Sequence, residues 1–207
     1  MKTDLDLEKK VRRKISGWYA NEQYTEHAVL RIMKQRNEII NLLRSTNRNN
    51  IENVIKYLDE SGFYYRASSP NGHHNYPGGL AEHSLGTYRE AAKNASGLPE
   101  ESVIIAALLH DICKSDRFWF KGREIRMHST KNEIDDKHSV RSIAIIKNCE
   151  VNLSNSEYLA IRWHMKGVNY QPRDPKKKAS HDKAIKDPLW NVVFYADKKD
   201  AKMHPAL

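Results

Sequence analysis

The sequence predicts an all-α fold, and three features support that prediction. Apolar residues recur at helical spacing along most of the 207 residues. Signals that begin helices stand at Pro99, at Ser154 with Glu157, and at Asp187-Pro188. Only the stretch RFWFKGREIRM fits strands, as one short hairpin turning near Lys121-Gly122. We therefore expect a helical bundle that contains, at most, one β-hairpin.

The first fifty residues are predicted to form an N-terminal helical extension. Residues 5–20 and 23–45 are charged and weakly amphipathic, and the Asn-rich segment RSTNRNN follows them. A third helix, IENVIKYLDESG, ends at Gly62 and begins the main domain, which we place at residues 51–207. The loop YRASSPNGHHNYPGG comes next, because Pro, Asn and Gly favour irregular backbone.

The helices of the main domain carry an ordered set of imidazoles and carboxylates. In chain order these are His83, His110, Asp111, His138, His164 and Asp197. The adjacent His-Asp pair is the most informative part, because the almost wholly apolar segment VIIAALL precedes it. Two polar groups at the end of a buried helix need partners.

Helical spacing places several of these groups on the core side of their helices. His110 follows Ala107 by three residues, and Asp197 follows Phe194 by three. Titratable groups that face a core from separate helices are expected to converge on one site. Imidazoles and carboxylates together suit divalent metals, so the sequence predicts a metal site.

The last long connection, GVNYQPRDPKKKASHDKAIK at residues 167–186, is predicted to be a basic loop. Its lysines at 176–178 favour either a solvated connector or a contact with phosphate groups. We expect the loop to border the site, because it joins the helices of His164 and Asp197. The helix after the loop is predicted to begin at Asp187-Pro188.

Composition limits the cellular setting and the partners. The formal net charge of +9 favours acidic partners such as nucleotides or nucleic acid. Two cysteines form no disulfide framework, which indicates a reducing compartment. The N-terminus lacks an apolar signal region, and no apolar run approaches the roughly 18–20 residues of a membrane span. We expect a cytoplasmic protein without a membrane partner, and its oligomeric state stays open.

At HHNYPGGLAEHS, LLHDICK and FYADKKDA, the chain resembles the HD-domain superfamily of metal-dependent phosphohydrolases. The family pattern is His, His-Asp and a distant Asp on an all-helical core, which corresponds here to His83, His110, Asp111 and Asp197. The loop before His83, with WHMKG and ADKKDAKM, is especially similar to the HD domain of YhaM-type 3′-5′ exoribonucleases. Cys113 stands where the family usually carries Gly.

The resemblance implies one or two divalent ions, with Mn, Fe, Mg, Zn and Ni all compatible. Some family members add two histidines and hold two metals, and His138 and His164 occupy the corresponding places. In such a site Asp111 is the natural bridge, and the metals activate a water that attacks the phosphoester. Asp111 and Lys114 are therefore the expected catalytic residues, with Lys114 also facing the substrate. Further phosphate contacts are expected from position alone at His74, Lys166 and Arg173.

Three functions are compatible with these patterns. The leading one is a metal-dependent phosphohydrolase acting on a nucleotide or another small phosphoester. A 3′-5′ exonuclease acting on single-stranded RNA or DNA is favoured by the net charge and by the YhaM-like loops. The third function is a non-catalytic HD module that binds a nucleotide or a protein partner. Its signature would be the absence of one of the four family-pattern residues, His83, His110, Asp111 and Asp197.

Overall fold

The computed structural model describes residues 4–127 and 134–205, and for residues 134–137 the backbone only. Within these ranges the chain forms nine α-helices, one short 3-10 helix and one two-stranded hairpin, which confirms the all-α prediction. The α-helices are α1 (Asp4–Ile15), α2 (Glu22–Ser45), α3 (Ile51–Glu60), α4 (Gly79–Ala92), α5 (Glu100–Leu109), α6 (Ile134–Asn148), α7 (Asn155–Trp163), α8 (Pro175–Ala184) and α9 (Pro188–Met203). The 3-10 helix (Ile112–Asp116) and the strands β1 (Phe118–Lys121) and β2 (Glu124–Met127) lie between α5 and α6.

Helix α5 occupies the centre of the bundle. Its side chains from Ser102 to Leu109 are all buried. A helix that is apolar on every side must be covered on every side, and α5 packs against α2, α4, α7 and α9. Helix α9 also packs against α4 and α7, so three of the helices that carry predicted ligands, α4, α7 and α9, surround α5, whereas α6 packs against α7 and the 3-10 helix. Among the described residues, no helix is both long and apolar enough to cross a membrane.

The N-terminal helices pack directly on this core. Helix α1 lies against α2, and α2 contacts α3, α4 and α5. The buried Arg36 of α2 makes two hydrogen bonds of 2.7 and 2.8 Å to the carboxylate of Asp59, which ties α2 to α3. The predicted domain boundary near residue 50 stays a prediction, since the extension is integrated with the bundle through α2.

The hairpin turns where the sequence predicted. Strands β1 and β2 are antiparallel, and Lys121 pairs with Glu124 at the turn. Gly122 has φ +59, a conformation that glycine adopts without steric cost. The 3-10 helix joins the hairpin to His110-Asp111, so the hairpin lies close in sequence to this pair.

The prediction of a basic loop over residues 167–186 is wrong for residues 175–184, which form α8. Asp174 caps this helix, because its Oδ1 accepts hydrogen bonds from the backbone amides of Lys176 and Lys177 at 2.7 and 3.1 Å. Pro175 occupies the first turn. Helix α8 packs against α7 and buries His181 and Ala184, whereas its lysines are exposed.

Candidate metal centre

The six side chains predicted as metal ligands converge inside the bundle. None is more than 7% exposed: His83, His110, Asp111, His138, His164 and Asp197. They come from α4, the end of α5, α6, the end of α7 and α9. Three overlapping groups of three within this set place their ligand atoms within 4.8 Å of one another.

Two of the imidazoles are oriented by the backbone of their own helices. His110 directly follows α5, and its Nδ1 donates to the carbonyl oxygen of Ala107 at 2.8 Å. His164 directly follows α7, and its Nδ1 donates to the carbonyl oxygen of Ile161 at 2.8 Å. A neutral imidazole that donates from Nδ1 keeps a lone pair on Nε2, which is the atom that each ring presents to the cluster.

The two oxygens of Asp111 face different pairs of imidazoles. Its Oδ2 lies 3.5 Å from Nε2 of His110 and 3.8 Å from Nε2 of His83. Its Oδ1 lies 2.5 Å from Nε2 of His138 and 3.4 Å from Nε2 of His164. One carboxylate therefore separates the donors into two groups, as a bridging ligand between two cations would.

Several atoms on the Oδ1 side lack hydrogen-bond partners. Asp111 Oδ1, His138 Nε2 and His164 Nε2 are all buried without one, because the close approach of His138 to Asp111 does not have hydrogen-bond geometry. Burial lowers the pKa of His138 to about 4, which keeps the ring neutral. Each unpaired buried polar atom costs roughly 1–3 kcal/mol. A divalent cation between these three atoms would satisfy all of them.

His83 is held from behind by Asp200, which the sequence analysis did not identify. Its Nδ1 donates to Asp200 Oδ2 at 2.7 Å, while its Nε2 lies 3.1 Å from Asp197 Oδ1. Asp200 is 1% exposed and packs against Gly86, where an added Cβ would lie only 1.8 Å from its Oδ1. Gly86 therefore makes the space that this carboxylate occupies. The sequence did contain a signal for Asp200. It follows Asp197 by three residues, which places both side chains on the same face of a helix.

The loop before α4 packs its histidines behind and beside His83. His74 is buried, and its Nε2 donates to Asp200 Oδ2 at 2.8 Å while its Nδ1 lies 3.1 Å from the Tyr76 hydroxyl. This placement favours a role in positioning Asp200 over the phosphate contact expected from sequence. The ring of the half-buried His73 lies 4.5 Å from that of His83, and burial lowers the pKa of His73 to about 3.

Opposite charges stabilise each other within the cluster. Burial lowers the pKa of His83, but hydrogen bonds to Asp197 and Asp200 outweigh it and raise that pKa to about 9. Burial raises the pKa of Asp197, yet its hydrogen bond to His83 brings it well below the usual range. The pKa of Asp111 is likewise lowered against burial, most strongly by the charge of Lys114. The carboxylates are therefore ionised, as metal ligands must be.

The remaining predicted contacts lie at varied distances from the donors. The Nζ atom of Lys114 is 2.5 Å from Asp111 Oδ2, so this cation already touches the cluster. The Nζ atom of Lys166 lies over the ring of Tyr170, 4.8 Å from its centroid. Arg173 is exposed in the segment that leads into α8. Of the three cations, Lys114 is the one that the fold brings to the predicted metal ligands.

Comparison with known proteins gives one result. A family model described as the HD domain matches residues 80–202, which is more than half of the chain. The match includes all six donors and Asp200, and it leaves α1–α3 and the loop with His73 and His74 outside. No curated protein and no solved structure matches the chain significantly.

Proposed function

Since the chain belongs to the HD-domain family of metal-dependent phosphohydrolases, we propose that it hydrolyses a phosphoester bond of a nucleotide or a related small phosphoester. The observation that supports this most is the division of the donors by Asp111, whose oxygens face two pairs of imidazoles. Pairs of divalent ions that share a carboxylate are typical of phosphoester hydrolysis.

The donor set fits two cations. One would be held by His83, His110 and Asp111 with Asp197, whose Oδ1 lies 3.1 Å from Nε2 of His83 and 3.9 Å from Nε2 of His110, and the other by Asp111, His138 and His164. Four imidazoles among six ligands favour Mn, Fe, Zn or Ni over Mg, which prefers oxygen ligands. Bound ions lower the pKa of water and neutralise charge on the phosphoryl oxygens.

Asp111 and Lys114 are the proposed catalytic residues of this chain. Asp111 faces both halves of the cluster through its two oxygens, so it would be shared by cations bound in the two halves. The ammonium of Lys114 neutralises Asp111 at 2.5 Å, and once cations take over that role it is available to donate to phosphoryl oxygens. Asp200 orients His83, and the buried surroundings of Lys114 strengthen its attraction to a phosphate.

A 3′-5′ exonuclease acting on single-stranded RNA or DNA is the second candidate. The net charge of +9 favours it, together with the exposed lysines of α8, which are accessible to a phosphate backbone. The YhaM-like motifs point the same way. The third candidate, a non-catalytic HD module, is disfavoured because all four core ligands are present and converge.

A substrate screen with Mn²⁺ distinguishes the three candidates. Nucleoside monophosphates, nucleoside triphosphates, cyclic dinucleotides and short single-stranded oligonucleotides would be incubated with the purified protein, with Asp111→Ala as the inactive control. We expect hydrolysis of mononucleotides that requires added metal and is lost in the variant. Shortening of oligonucleotides from the 3′ end, without mononucleotide hydrolysis, would support the exonuclease. Binding without any hydrolysis by the metal-loaded protein would support the non-catalytic module.

A further inference from the structure

A cavity of about 320 Å³ lies where the N-terminal extension meets the loop before α4. Its walls are formed by Trp18, Tyr19, Arg31, Tyr76 and Glu82. Trp18 and Tyr19 belong to the turn between α1 and α2, whereas Tyr76 belongs to the loop. Of the five, only Glu82 falls within the residues matched by the family model.

We propose that this cavity binds the base of the nucleotide whose phosphoester is hydrolysed, an inference that rests on the proposed function. Aromatic side chains stack on the faces of any nucleobase. A guanidinium offers donors and a carboxylate offers acceptors to the polar edge of a base. A mostly aromatic hollow with a few placed polar groups is the usual form of a small-molecule site, and its volume lies within the range of such sites.

The polar groups of the cavity are held in place before any ligand binds. Arg31 is paired with Glu82 through Nη1, and its Nη2 donates to the carbonyl oxygen of Pro77 at 2.7 Å. Gln35 Nε2 donates to the same carboxylate oxygen at 3.1 Å. The guanidinium of Arg31 also lies 5.3 Å from the ring centroid of Tyr76. Such preorganisation reduces the entropy lost on binding.

The cavity is close to the candidate metal centre. Glu82 directly precedes His83 in α4. The ring of His74 lies between the cavity and the centre, 5.9 Å from the ring of Tyr76 and 5.5 Å from that of His83. In this proposal a nucleotide with its base against Tyr76 extends its phosphate around the buried His74 towards the donors.

The second side of the cavity adjoins the β-hairpin. The ring of Trp18 packs edge-on against Phe120 of β1, with centroids 5.1 Å apart. This strand directly follows the 3-10 helix that contains Lys114. Trp18 and Tyr19 are both only half-buried, so part of each side chain remains accessible to a ligand.

Calorimetric titration of the full-length protein in EDTA tests the proposal without turnover. The probes are AMP, GMP, CMP and UMP, with ribose 5-phosphate as the probe that lacks a base. We expect at least one nucleotide to bind more tightly than ribose 5-phosphate. Trp18→Ala should weaken that nucleotide by at least about fivefold, the effect of losing one stacking ring, and leave ribose 5-phosphate unchanged.

Two further variants complete the design. Tyr24→Ala removes an exposed tyrosine of the same region and should change neither affinity. Trp18→Phe keeps a stacking ring, so it should bind nucleotide better than Trp18→Ala. If Trp18→Ala does not fold, the affinities of the unmodified protein for nucleotides and for ribose 5-phosphate still test whether the base contributes to binding.

The outcomes separate this proposal from the proposed function. Equal affinity of the protein for all nucleotides and for ribose 5-phosphate would overturn the base site. The same holds if Trp18→Ala weakens the binding of nucleotides and of ribose 5-phosphate by the same factor. Base-dependent binding without hydrolysis by the metal-loaded protein would retain the base site and reject phosphohydrolase activity. Hydrolysis of ribose 5-phosphate as efficiently as of every nucleotide would support phosphohydrolase activity and reject the base site.

Discussion

Asp200 Oδ2 lies 2.7 Å from Nδ1 of His83, on the edge of the imidazole that points away from the other metal donors. The opposite nitrogen, Nε2, faces Asp197 at 3.1 Å. A carboxylate that accepts the Nδ1 proton fixes the tautomer and makes Nε2 a better ligand. Asp200 is therefore expected to control metal binding without touching the metal.

Replacing Asp200 by Ala should weaken Mn²⁺ binding by about 10–100-fold, the usual effect of losing such a partner. The affinity is measured by calorimetry, and circular dichroism shows whether the helices remain. Asp182→Ala is the matched control, because this aspartate lies on α8 and is only partly buried. Equal Mn²⁺ affinities for Asp200→Ala and the unmodified protein would show that His83 needs no such support.

Gly86→Ala should have a similar effect through sterics alone. The new Cβ would lie 1.8 Å from Asp200 Oδ1, so the carboxylate must move away from His83 or the α4–α9 contact must open. We expect weaker Mn²⁺ binding and a lower melting temperature. In the control Gly17→Ala the nearest atom lies 3.8 Å from the added Cβ, so both quantities should stay unchanged. A Gly86→Ala protein with unaltered affinity would mean that Asp200 has other room to occupy.

Metal binding should strengthen as pH rises towards 9. The pKa of His83 without metal is raised to about 9, so at neutral pH the ring carries a proton that a metal must displace from Nε2. One displaced proton gives an affinity that rises about tenfold per pH unit below that pKa. Calorimetry at about pH 7 and about pH 8.5, in buffers of different ionisation enthalpy, measures both affinity and proton release. An affinity independent of pH would indicate a neutral His83.

Replacing the exposed run Lys176–Lys178 by Ser should lower kcat/KM mainly at low salt, with little change in kcat. Helix α8 packs on α7, at whose end His164 lies, so its positive charge is expected to raise the encounter rate with an anionic substrate. Serine at Lys9, Lys14 and Lys34 removes the same charge from α1 and α2 and serves as the control. If kcat/KM is the same for both triple variants at every salt concentration, the lysines of α8 have no special role in substrate encounter.

Local signals predicted most of the fold. The capping box at Ser154 and Glu157 forms as expected, with the side chain of each residue bonded to the backbone of the other. Asp187 caps α9 through the backbone amide of Leu189 at 2.9 Å. These interactions involve neighbours in sequence, so residue type and spacing suffice to predict them.

Where the prediction failed, the deciding contacts were weakly patterned or long-range. Helix α8 has almost no apolar stripe, since it buries only His181 and Ala184, and its lysines suggested a loop. The Asp174-Pro175 signal was present and equivalent to the one before α9. Asp200 resembles a surface residue in a Lys-rich segment, and its contact with His83 spans 117 positions of the chain.

The claim that two ions share Asp111 is tested most directly by anomalous diffraction from crystals grown with Mn²⁺. We expect two anomalous peaks about 3.5–4 Å apart. One should lie beside His83 and His110 and the other beside His138 and His164, with Asp111 between them, and Asp111→Ala should remove both. A single peak with His138 and His164 turned away from it, or no peak within this cluster, would contradict the two-ion centre.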